Sequence, residues 1–456
     1  MPADNHHDVI VIGAGLAGLT AALELEAAGV DVRVIEAQNR VGGRVHSMRQ
    51  LGNNKEAGGT YIGAGYARLI GVAERLGVEL VDVTPMLEFF REQDFVLGNE
   101  IIRQSEWADH ASNPFPEQDR ELLPWNYHRV LTMRECPLES PDEWLDPKHA
   151  IHDISMRDWM HGLGLSDEII RIGYGINVSF GDDATDVSTL LMFLRAAFSL
   201  EQRAVAPQGS LGFTAKDGVQ RIPEAMAGAL TNEVHFEKAV TAITTGNNKT
   251  EVRCADGTVY EAPDVICSLP FSVLKDLHVD PPLAGTQAQA VKSVPYQSMT
   301  QVYLAHKSEF WKEDGYAASM YTDGVAGMVI AARNGEDPDE VTSFTTWAMG
   351  PNAHRLDALP DADAGRRVIA EIEAIRPAAK DQLEFIELKS WGTDPHALGG
   401  WAYFRPGQVN ELAADMSVAH GRIRFCGEHL GFKSRGMEAA MESAERVARE
   451  ILLRGQ

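Results

Sequence analysis

Cysteine and positive charge are scarce in this chain, and long apolar runs are missing. Four cysteines occur among the 456 residues, and none forms a CxxC pair, which argues against a metal site or a redox dithiol. Aspartate and glutamate outnumber lysine and arginine by 66 to 41, which leaves a net charge of −25. A chain this acidic is a poor partner for nucleic acid or for an anionic membrane surface.

No segment reaches the ~18 apolar residues that span a bilayer, and no apolar signal core opens the chain. The unpaired cysteines are consistent with a reducing compartment. We therefore expect a soluble, cytoplasmic protein with no metal, no nucleic-acid partner and no membrane segment. A length of 456 residues is enough to bury a large core and predicts two domains.

An apolar run at residues 9–12 leads directly into a glycine-rich turn. Gly13 permits a tight bend, Gly15 lets a pyrophosphate approach bare backbone, and Gly18 lets the next helix pack closely on the strand. Glu36 ends a second apolar run, 18 positions after Gly18, where a carboxylate can bind a ribose hydroxyl. The pattern predicts a strand, a helix and a strand that hold an adenine dinucleotide. The expected contacts are Gly13, Ala14, Gly15, Leu16, Ala17, Gly18, Glu36 and Ala37.

A second cluster of glycine and arginine follows the acid at once. Arg40, Gly42, Gly43 and Arg44 would keep the backbone close to a larger cofactor and neutralise phosphate charge. A nicotinamide enzyme has no general need for them, and a solvated turn is the alternative for the two arginines. The cluster resembles an extension found in the flavin amine oxidase superfamily, which includes monoamine oxidases, polyamine oxidases and L-amino-acid oxidases.

Further segments extend this resemblance over nearly the whole chain. In the family, such segments lie over the flavin ring, return the chain to the cofactor domain, form strands behind the adenosine, and bind the ribityl chain or the pyrophosphate. The last helix of the family begins at the flavin pyrimidine, where its dipole stabilises negative charge. The matching segments are 56–62, 217–223, 234–243, 262–270, 422–428 and 436–438.

The resemblance implies FAD as cofactor and an α/β fold. A Rossmann-like, p-hydroxybenzoate-hydroxylase-like FAD-binding domain would comprise residues 1–80, 213–288 and 390–456. A discontinuous α+β substrate domain would comprise residues 81–212 and 289–389. Two consecutive domains are the alternative, but they would leave the C-terminal Gly-Glu segment without a partner. The further cofactor contacts implied are Gly59, Thr60, Tyr61, Val240, Trp391, Gly427, Glu428, Gly436 and Met437.

The resemblance also implies a reaction. In the family, the carbon beside a neutral amine gives hydride equivalents to flavin N5, and the imine then hydrolyses to an aldehyde or ketone. L-amino-acid oxidases usually carry an arginine at the place of Tyr61, where it clamps the substrate carboxylate; tyrosine cannot form that bidentate pair. We therefore expect a primary or secondary amine without a clamped carboxylate, although another arginine could take that role. The alternatives are a flavin dehydrogenase or desaturase, an L-amino-acid oxidase, or a flavoprotein scaffold with little turnover.

Several positions depart from the family pattern. Gln301, or Thr300 if the register slips, replaces the monoamine oxidase lysine that holds a water at flavin N5. Reoxidation by oxygen is therefore expected to be slow, and the electron acceptor is oxygen or another molecule. Trp401 stands where animal monoamine oxidases bond the flavin through a cysteine, so the FAD is expected to be non-covalent. Ala402 and Gly436 replace the aromatic cage, which leaves room for a bulkier substrate.

Gln301, Trp401 and Tyr61 are the candidate catalytic residues, and Trp391 or Trp401 is expected to supply one aromatic wall. A homodimer is one option for the assembly, which the sequence leaves open.

Residues 173–180 resemble the segment that lines the substrate cavity of the family, although core residues have the same composition. Lys433 and Arg435 could supply a cation near the substrate or lie in a solvated loop. His429 follows Glu428 and is expected to face the flavin or the pocket. The candidate substrate contacts are Tyr174, Asn177, Phe180, Trp401, Ala402 and His429.

Overall fold

The computed structural model describes residues 6–52, 54–87, 92–98, 100–335, 337 and 339–454. Its strands are β1 (Val9–Ile12), β2 (Val32–Ile35), β3 (His46–Ser47), β4 (Glu56–Gly58), β5 (Leu80–Asp82), β6 (Gln93–Leu97), β7 (Glu100–Ile102), β8 (Phe213–Ala215), β9 (Val240–Thr245), β10 (Thr250–Cys254), β11 (Val259–Ala262), β12 (Asp264–Cys267), β13 (His278–Asp280), β14 (Met299–His306), β15 (Ser319–Thr322), β16 (Met328–Ala332), β17 (Ser343–Met349), β18 (Leu383–Ser390) and β19 (Ile423–Phe425). Its helices are α1 (Leu16–Ala27), α2 (Ala67–Arg75), α3 (Tyr127–Arg134), α4 (Met156–Gly162), α5 (Asp167–Gly175), α6 (Thr189–Val205), α7 (Arg221–Gly228), α8 (Phe271–Leu274), α9 (Gly285–Ser293), α10 (Phe310–Asp314), α11 (Pro351–Asp357), α12 (Asp361–Ile375) and α13 (Gly436–Arg454).

A four-stranded parallel sheet carries the N-terminal glycine turn. Its strand order is β19-β12-β1-β2. Val9 and Val11 pack with α1 and α13, whereas Ile10 and Ile12 pack into the core on the other face. Burial on both faces explains why β1 is apolar without alternation. The strands predicted at the start of the chain are confirmed.

Helix α1 returns the chain from β1 to β2 and packs along α13. Leu16 and Leu19 of its predicted apolar face are buried, and Leu23 is partly buried. Gly29 ends the helix region with a φ of +83°, a conformation that glycine adopts without strain. The helix predicted after the glycine turn is confirmed, and α13 begins at Gly436, in the segment that resembles the start of the family's last helix.

A second sheet has the order β11-β10-β9-β13 and packs behind the parallel sheet. Residues 234–243, which resemble the family's strands behind the adenosine, take part in two separate pairings. His235 forms a single parallel bridge with Ile35, whereas β9 begins at Val240 and belongs to the second sheet. Glu237 has a φ of +58°, so the extended backbone is broken between the two pairings.

A seven-stranded sheet of order β18-β14-β17-β16-β15-β6-β7 forms a separate layer. Strands β6 and β7 come from the first non-cofactor segment and the other five from the second, joined through the parallel β6–β15 pair. Helix α12 packs on β18. Most of the first ten residues of helix α6 are buried.

Candidate active site

A cavity of about 770 Å³ opens where the parallel strands end. Its wall includes Ile12, Ile35 and Ser268, at or just after the carboxyl ends of β1, β2 and β12. In α/β sheets ligands bind at this edge. The cavity then extends past β4 to Met299 of β14 and Trp347 of β17.

The structure brings most of the predicted residues to this cavity and leaves some outside its lining. Those that line it are Gly13, Gly15, Leu16, Ala17, Glu36, Ala37, Gly42, Gly43, Arg44, Gly59, Thr60, Tyr61, Val240, Trp391, Trp401, Gly427, Glu428, Gly436 and Met437. Those outside the lining are Ala14, Gly18, Arg40, Tyr174, Asn177, Phe180, Gln301, Ala402 and His429.

The Glu36 carboxylate organises the turn that follows β1. Its Oε2 accepts a hydrogen bond from the Ala14 N–H at 2.7 Å, and its Oε1 accepts one from the Gln38 N–H at 2.9 Å. The Gly13 N–H donates to the Ile35 carbonyl at 2.8 Å. A carboxylate offers about four lone-pair sites, so Glu36 can still accept hydrogen bonds from a ligand in the cavity.

Two glycines of the turn differ in what surrounds them. A Cβ added at Gly15 would meet no atom nearer than the Gly42 carbonyl oxygen at 4.0 Å, so this backbone faces open space. A Cβ added at Gly18 would overlap the Gly13 carbonyl oxygen. Gly18 therefore serves the packing of α1 on its own turn, and Gly15 keeps the cavity open.

The two arginines of the second cluster have separate partners. Arg40 donates to the Gly43 carbonyl at 2.9 Å and to the Val45 carbonyl at 3.4 Å, so it braces the loop from outside the cavity. Arg44 lines the cavity and forms an ion pair of 2.9 Å with Glu428. Both lie in structured surroundings rather than in a solvated turn.

Glu428 is buried and accepts hydrogen bonds from two segments that are distant in the sequence. Its Oε1 accepts hydrogen bonds from Arg44 and from the Ala402 N–H, each at 2.9 Å. Its Oε2 is buried and has no partner among the described residues. Burial would raise the pKa of Glu428, but the charges of Arg44 and Arg435 lower it below its ordinary value. The ionised carboxylate thus keeps one oxygen free for a donor from a ligand.

The Ala57 carbonyl organises the aromatic part of the wall. The Trp391 indole N–H donates to it at 2.7 Å. In the amide orientation that pairs donors with acceptors, the Gln301 nitrogen also donates to it at 2.8 Å, and the Gln301 oxygen accepts from the Trp347 indole at 2.9 Å. Gln301 is fully buried, and it links β4 to Trp347 instead of facing the cavity.

The predicted substrate segment lies one layer behind the wall. The Trp401 indole donates to the Ser179 carbonyl at 3.3 Å, and Phe180 packs edge-on against Trp401 at 6.4 Å. The Tyr174 hydroxyl donates to the Phe180 carbonyl at 2.6 Å, and the Asn177 amide donates to a main-chain carbonyl. Ser179 and Phe180 thus support Trp401, and the polar groups of Tyr174 and Asn177 are paired inside the protein.

His429 packs on Phe271, with ring centroids 4.3 Å apart, instead of facing the cavity. Neither of its ring nitrogens has a partner in the described part of the chain. Burial lowers the pKa of His429 to about 3, so the imidazole is neutral at physiological pH.

Sequence reasoning missed several residues of the wall. Arg195 of α6 interrupts an apolar run, and this lone charge was a signal that could have singled it out. Tyr66 lines the cavity beside Gly436, with its hydroxyl 3.8 Å from the place of a Cβ there. Met299 and Trp347 had no local signal, because their positions depend on which strands pair.

Within the described ranges, no group of three or more His, Cys, Asp or Glu side chains is arranged to hold a metal ion. None of the helices in the same ranges combines the length and the apolar composition that a bilayer crossing requires. All four cysteines are free.

Comparison with known protein families identifies the family of this chain. The model of the flavin containing amine oxidoreductases matches residues 16–452. The chain belongs to this family. It is therefore an oxidoreductase, and its cofactor is FAD.

Curated relatives of this chain are flavin-containing amine oxidases. The flavin-containing amine oxidase of Danio rerio is 27% identical over 462 residues, which cover 98% of this chain and 86% of that protein. Flavin-containing amine oxidase B of Homo sapiens is 25% identical over 465 residues, with the same coverage of both chains.

Solved structures share the fold. A putrescine oxidase bound to putrescine superimposes with a TM-score of 0.78 at 22% identity, covering 98% of this chain and 99% of that chain. Cyclohexylamine oxidase from Brevibacterium oxydans superimposes with a TM-score of 0.77 at 21% identity, again over 98% and 99% of the two chains.

The cavity of this amine oxidoreductase fits FAD on its own geometry. The open space at Gly15 admits a phosphate, and the free lone pairs of Glu36 suit a ribose hydroxyl. The unpartnered Glu428 oxygen suits a further hydroxyl or N–H donor. Helix α13, 19 residues long, begins at the wall with Gly436 and Met437.

Glu56 of β4 ties this wall to two other segments. Its carboxylate accepts from the Ser47 hydroxyl at 2.8 Å and from the Val219 N–H at 2.9 Å. Burial raises the pKa of Glu56 from 4.5 to about 7, despite these hydrogen bonds.

The raised pKa predicts a pH-dependent stability. An unfolded glutamate ionises near pH 4.5, whereas folded Glu56 keeps its proton to about pH 7. Between these pH values Glu56 is protonated in the folded state and ionised in the unfolded state. The contribution of Glu56 to the free energy of unfolding therefore falls as pH rises. Glu56→Gln keeps the hydrogen bonds and removes the titration. The free energy of unfolding of Glu56→Gln, minus that of the wild type, should therefore increase by about 3 kcal/mol as the pH rises from 4.5 to about 7.

Denaturant unfolding of both proteins at the two ends of the interval measures this change. Glu79→Gln is the matched control, because Glu79 is exposed and pairs with Lys216 at the surface. An equal stability difference between Glu56→Gln and wild type at both pH values would contradict the prediction.

Gly15→Ala should preserve the fold and weaken FAD binding. The φ of −76° and ψ of 176° at Gly15 suit alanine, and no protein atom opposes its Cβ. The added methyl group would occupy the space that a phosphate needs, so the affinity for FAD should fall by roughly tenfold or more. Titration of the apoprotein with FAD, followed by flavin fluorescence, measures the affinity.

Gly18→Ala is the control for this experiment, because its Cβ overlaps protein backbone and should lower the thermal unfolding temperature itself. Wild-type FAD affinity in Gly15→Ala would show that the pyrophosphate does not lie at this turn.

Proposed function

We propose that this protein oxidises a primary or secondary amine with non-covalently bound FAD, giving an imine that hydrolyses to an aldehyde or ketone. The observation that carries the proposal is the continuous cavity, which joins Glu36 at one end to Tyr61 and Trp401 at the other. The family supports an amine as the electron donor. The putrescine and cyclohexylamine oxidases of the same fold also support an amine substrate.

The groups that would hold the cofactor come from separate elements. The N–H groups at Gly15 and the start of α1 suit the pyrophosphate, and Glu36 suits the ribose hydroxyls. Arg44 adds positive charge, and its ion pair with Glu428 fixes its position. The N-terminus of α13 at Met437 presents the positive end of its dipole to the ring.

Bound FAD supplies the acceptor of the hydride equivalents. Tyr61, Trp391 and Trp401 exclude water and orient the substrate in this proposal. Burial, followed by the charge of Glu56, raises the pKa of Tyr61 to about 12, so its hydroxyl stays neutral at physiological pH. A neutral hydroxyl can hydrogen-bond an uncharged amine without adding charge to the pocket.

Gln301 acts as a positioning residue in this proposal. Its amide is paired with the Ala57 carbonyl and the Trp347 indole, so it fixes one wall of the cavity from behind. The neighbouring strand carries Lys389 opposite Gln301, but that ammonium is paired with Asp394 and lies over the Trp391 ring.

The proposal keeps the division into an FAD-binding domain (1–80, 213–288 and 390–456) and a substrate domain (81–212 and 289–389). The sheets support it, since the strands of the parallel sheet come from the first set and those of the seven-stranded sheet from the second, apart from Ser390 at the shared boundary. The four free cysteines support a cytoplasmic location, because the cytosol keeps thiols reduced.

Primary or secondary amines should bleach the visible absorbance of the holoenzyme when oxygen is excluded. Alcohols of the same carbon skeleton are the matched control and should leave the absorbance unchanged. Acid precipitation of the same preparation should release the FAD into the supernatant, because Trp401 offers no bond to the flavin. Bleaching by other donors alone would favour a dehydrogenase or desaturase, and no bleaching would favour a scaffold.

Oxygen should reoxidise the bleached holoenzyme slowly. Gln301 carries no positive charge and its amide is already paired, so it gives little electrostatic help to oxygen as it gains an electron. Stopped-flow mixing with air-saturated buffer measures this rate, and an artificial quinone acceptor in the same instrument is the comparison. A reaction with oxygen as fast as that with the quinone would contradict the expectation.

A further inference from the structure

Arg195 is a charged residue on a helix whose neighbours are apolar. It lies in α6 between Leu194 and Ala196, both buried, and its side chain lines the cavity. In the part of the chain that the structure describes, no carboxylate lies within ion-pair distance of its guanidinium, and no hydrogen-bond acceptor satisfies it. Arg195 is partly buried, and a poorly solvated charge without a partner is costly, so the guanidinium that faces the cavity points to an anionic ligand.

The surroundings of Arg195 add positive charge instead of compensating it. Arg129 of α3 and Arg435, just before α13, act on it electrostatically. Arg129 donates to the Ser179 hydroxyl at 3.3 Å, and Arg435 donates to the Ala402 carbonyl at 3.2 Å. Neither forms an ion pair within the described residues. Burial, followed by the charge of Arg129, lowers the pKa of Arg195 to about 9.

Arg195 lies near the part of the cavity in which Tyr61 and Trp401 are proposed to orient the substrate. Its guanidinium lies 5.9 Å from the centre of the Phe180 ring, which packs edge-on against Trp401. Tyr66, which also acts on Arg195, lies beside Gly436. Arg44, another arginine of the wall, is already paired with Glu428. Arg195 is therefore a cation beside Phe180, which packs on Trp401, and near Tyr66, which lies next to Gly436.

We propose that Arg195 binds a carboxylate of the substrate, so that the amine oxidised by this protein also carries a carboxylate group. The inference rests on the proposed amine oxidation. A guanidinium binds a carboxylate through two parallel N–H donors, which fixes orientation as well as charge. Tyr61 cannot supply this clamp, and Arg195 supplies it from a different element, helix α6, near Phe180 and Tyr66.

Benzoate tests the anion site without requiring turnover. Added to the holoenzyme, benzoate should perturb the visible spectrum of FAD in a saturable way, and benzamide, its uncharged analogue, should bind far more weakly. Arg195→Gln should raise the Kd of benzoate by about 10- to 100-fold, which is the value of a charged hydrogen bond in a protein. Arg195→Lys should retain part of the affinity for benzoate, because lysine keeps the positive charge but lacks the two parallel N–H donors of the guanidinium.

Arg203→Gln is the matched control, since Arg203 lies on the same helix but is exposed. Its benzoate affinity should equal that of the wild type. Equal binding of benzoate and benzamide, or an unchanged benzoate Kd in Arg195→Gln, would overturn the proposal. Release of FAD by Arg195→Gln under conditions where Arg203→Gln retains it would also overturn it, because Arg195 would then serve the cofactor.

Substrate pairs separate this inference from the proposed function. Anaerobic bleaching is compared for phenylalanine against 2-phenylethylamine and for 6-aminohexanoate against hexylamine. In at least one pair the carboxylated member should react faster, and Arg195→Gln should raise its KM and leave that of the plain amine unchanged. If only plain amines react, the inference fails and amine oxidation stands. If benzoate binds through Arg195 but no amine bleaches the flavin, amine oxidation fails and the anion site stands.

Discussion

The ion pair between the partly exposed Arg44 and the buried Glu428 is the constraint on which the site depends. The two residues are 384 positions apart, and the same guanidinium nitrogen also donates to the Gly400 carbonyl. The Glu428 oxygen that receives Arg44 also receives the Ala402 N–H. Burying two charges is tolerated only when they are well paired. The loop after β2, the segment around 400–402 and the end of β19 therefore hold one another in place.

Charge is distributed unevenly in this acidic protein. The chain has a net charge of −25, yet Arg44 and Arg195 line the cavity, and Arg129 and Arg435 lie close behind it. Arg44 is balanced by Glu428, whereas Arg195 is left for a ligand. The cavity wall carries three cations (Arg44, Arg195 and Lys238) and three carboxylates (Glu36, Asp394 and Glu428), so it is the individual cationic side chains that suit a pyrophosphate and a substrate carboxylate.

The wall shows how a fully buried polar side chain can shape a site that it does not touch. The Ala57 carbonyl receives both the Trp391 indole and the Gln301 amide, and Gln301 holds the Trp347 indole in turn. Removing any of these groups would leave a buried polar partner unsatisfied. Gln301, which we predicted to stand in place of the monoamine oxidase lysine, is thus part of the framework of the wall.

The sequence by itself determined the features that short-range physics controls. Gly13, Gly15 and Gly18, together with the apolar runs around them, specify a strand, a tight turn and a helix, because backbone geometry and side-chain period act over a few residues. The acid at Glu36 followed from the same spacing, and the order of the motifs indicated the family. The structure confirms the strand, the turn and the helix, and the family model confirms the family.

Tertiary structure alone decided which side chains share a wall and which lack a partner. Trp347 and Met299 reach the cavity through strand pairing, Gln301 is enclosed by its neighbours, and Phe180 lies one layer back. The unpaired state of Arg195 depends on every element packed around α6, since a charge is unpaired only if no distant carboxylate reaches it. Contacts between residues far apart in the chain determine these properties, and a local sequence pattern does not predict such contacts.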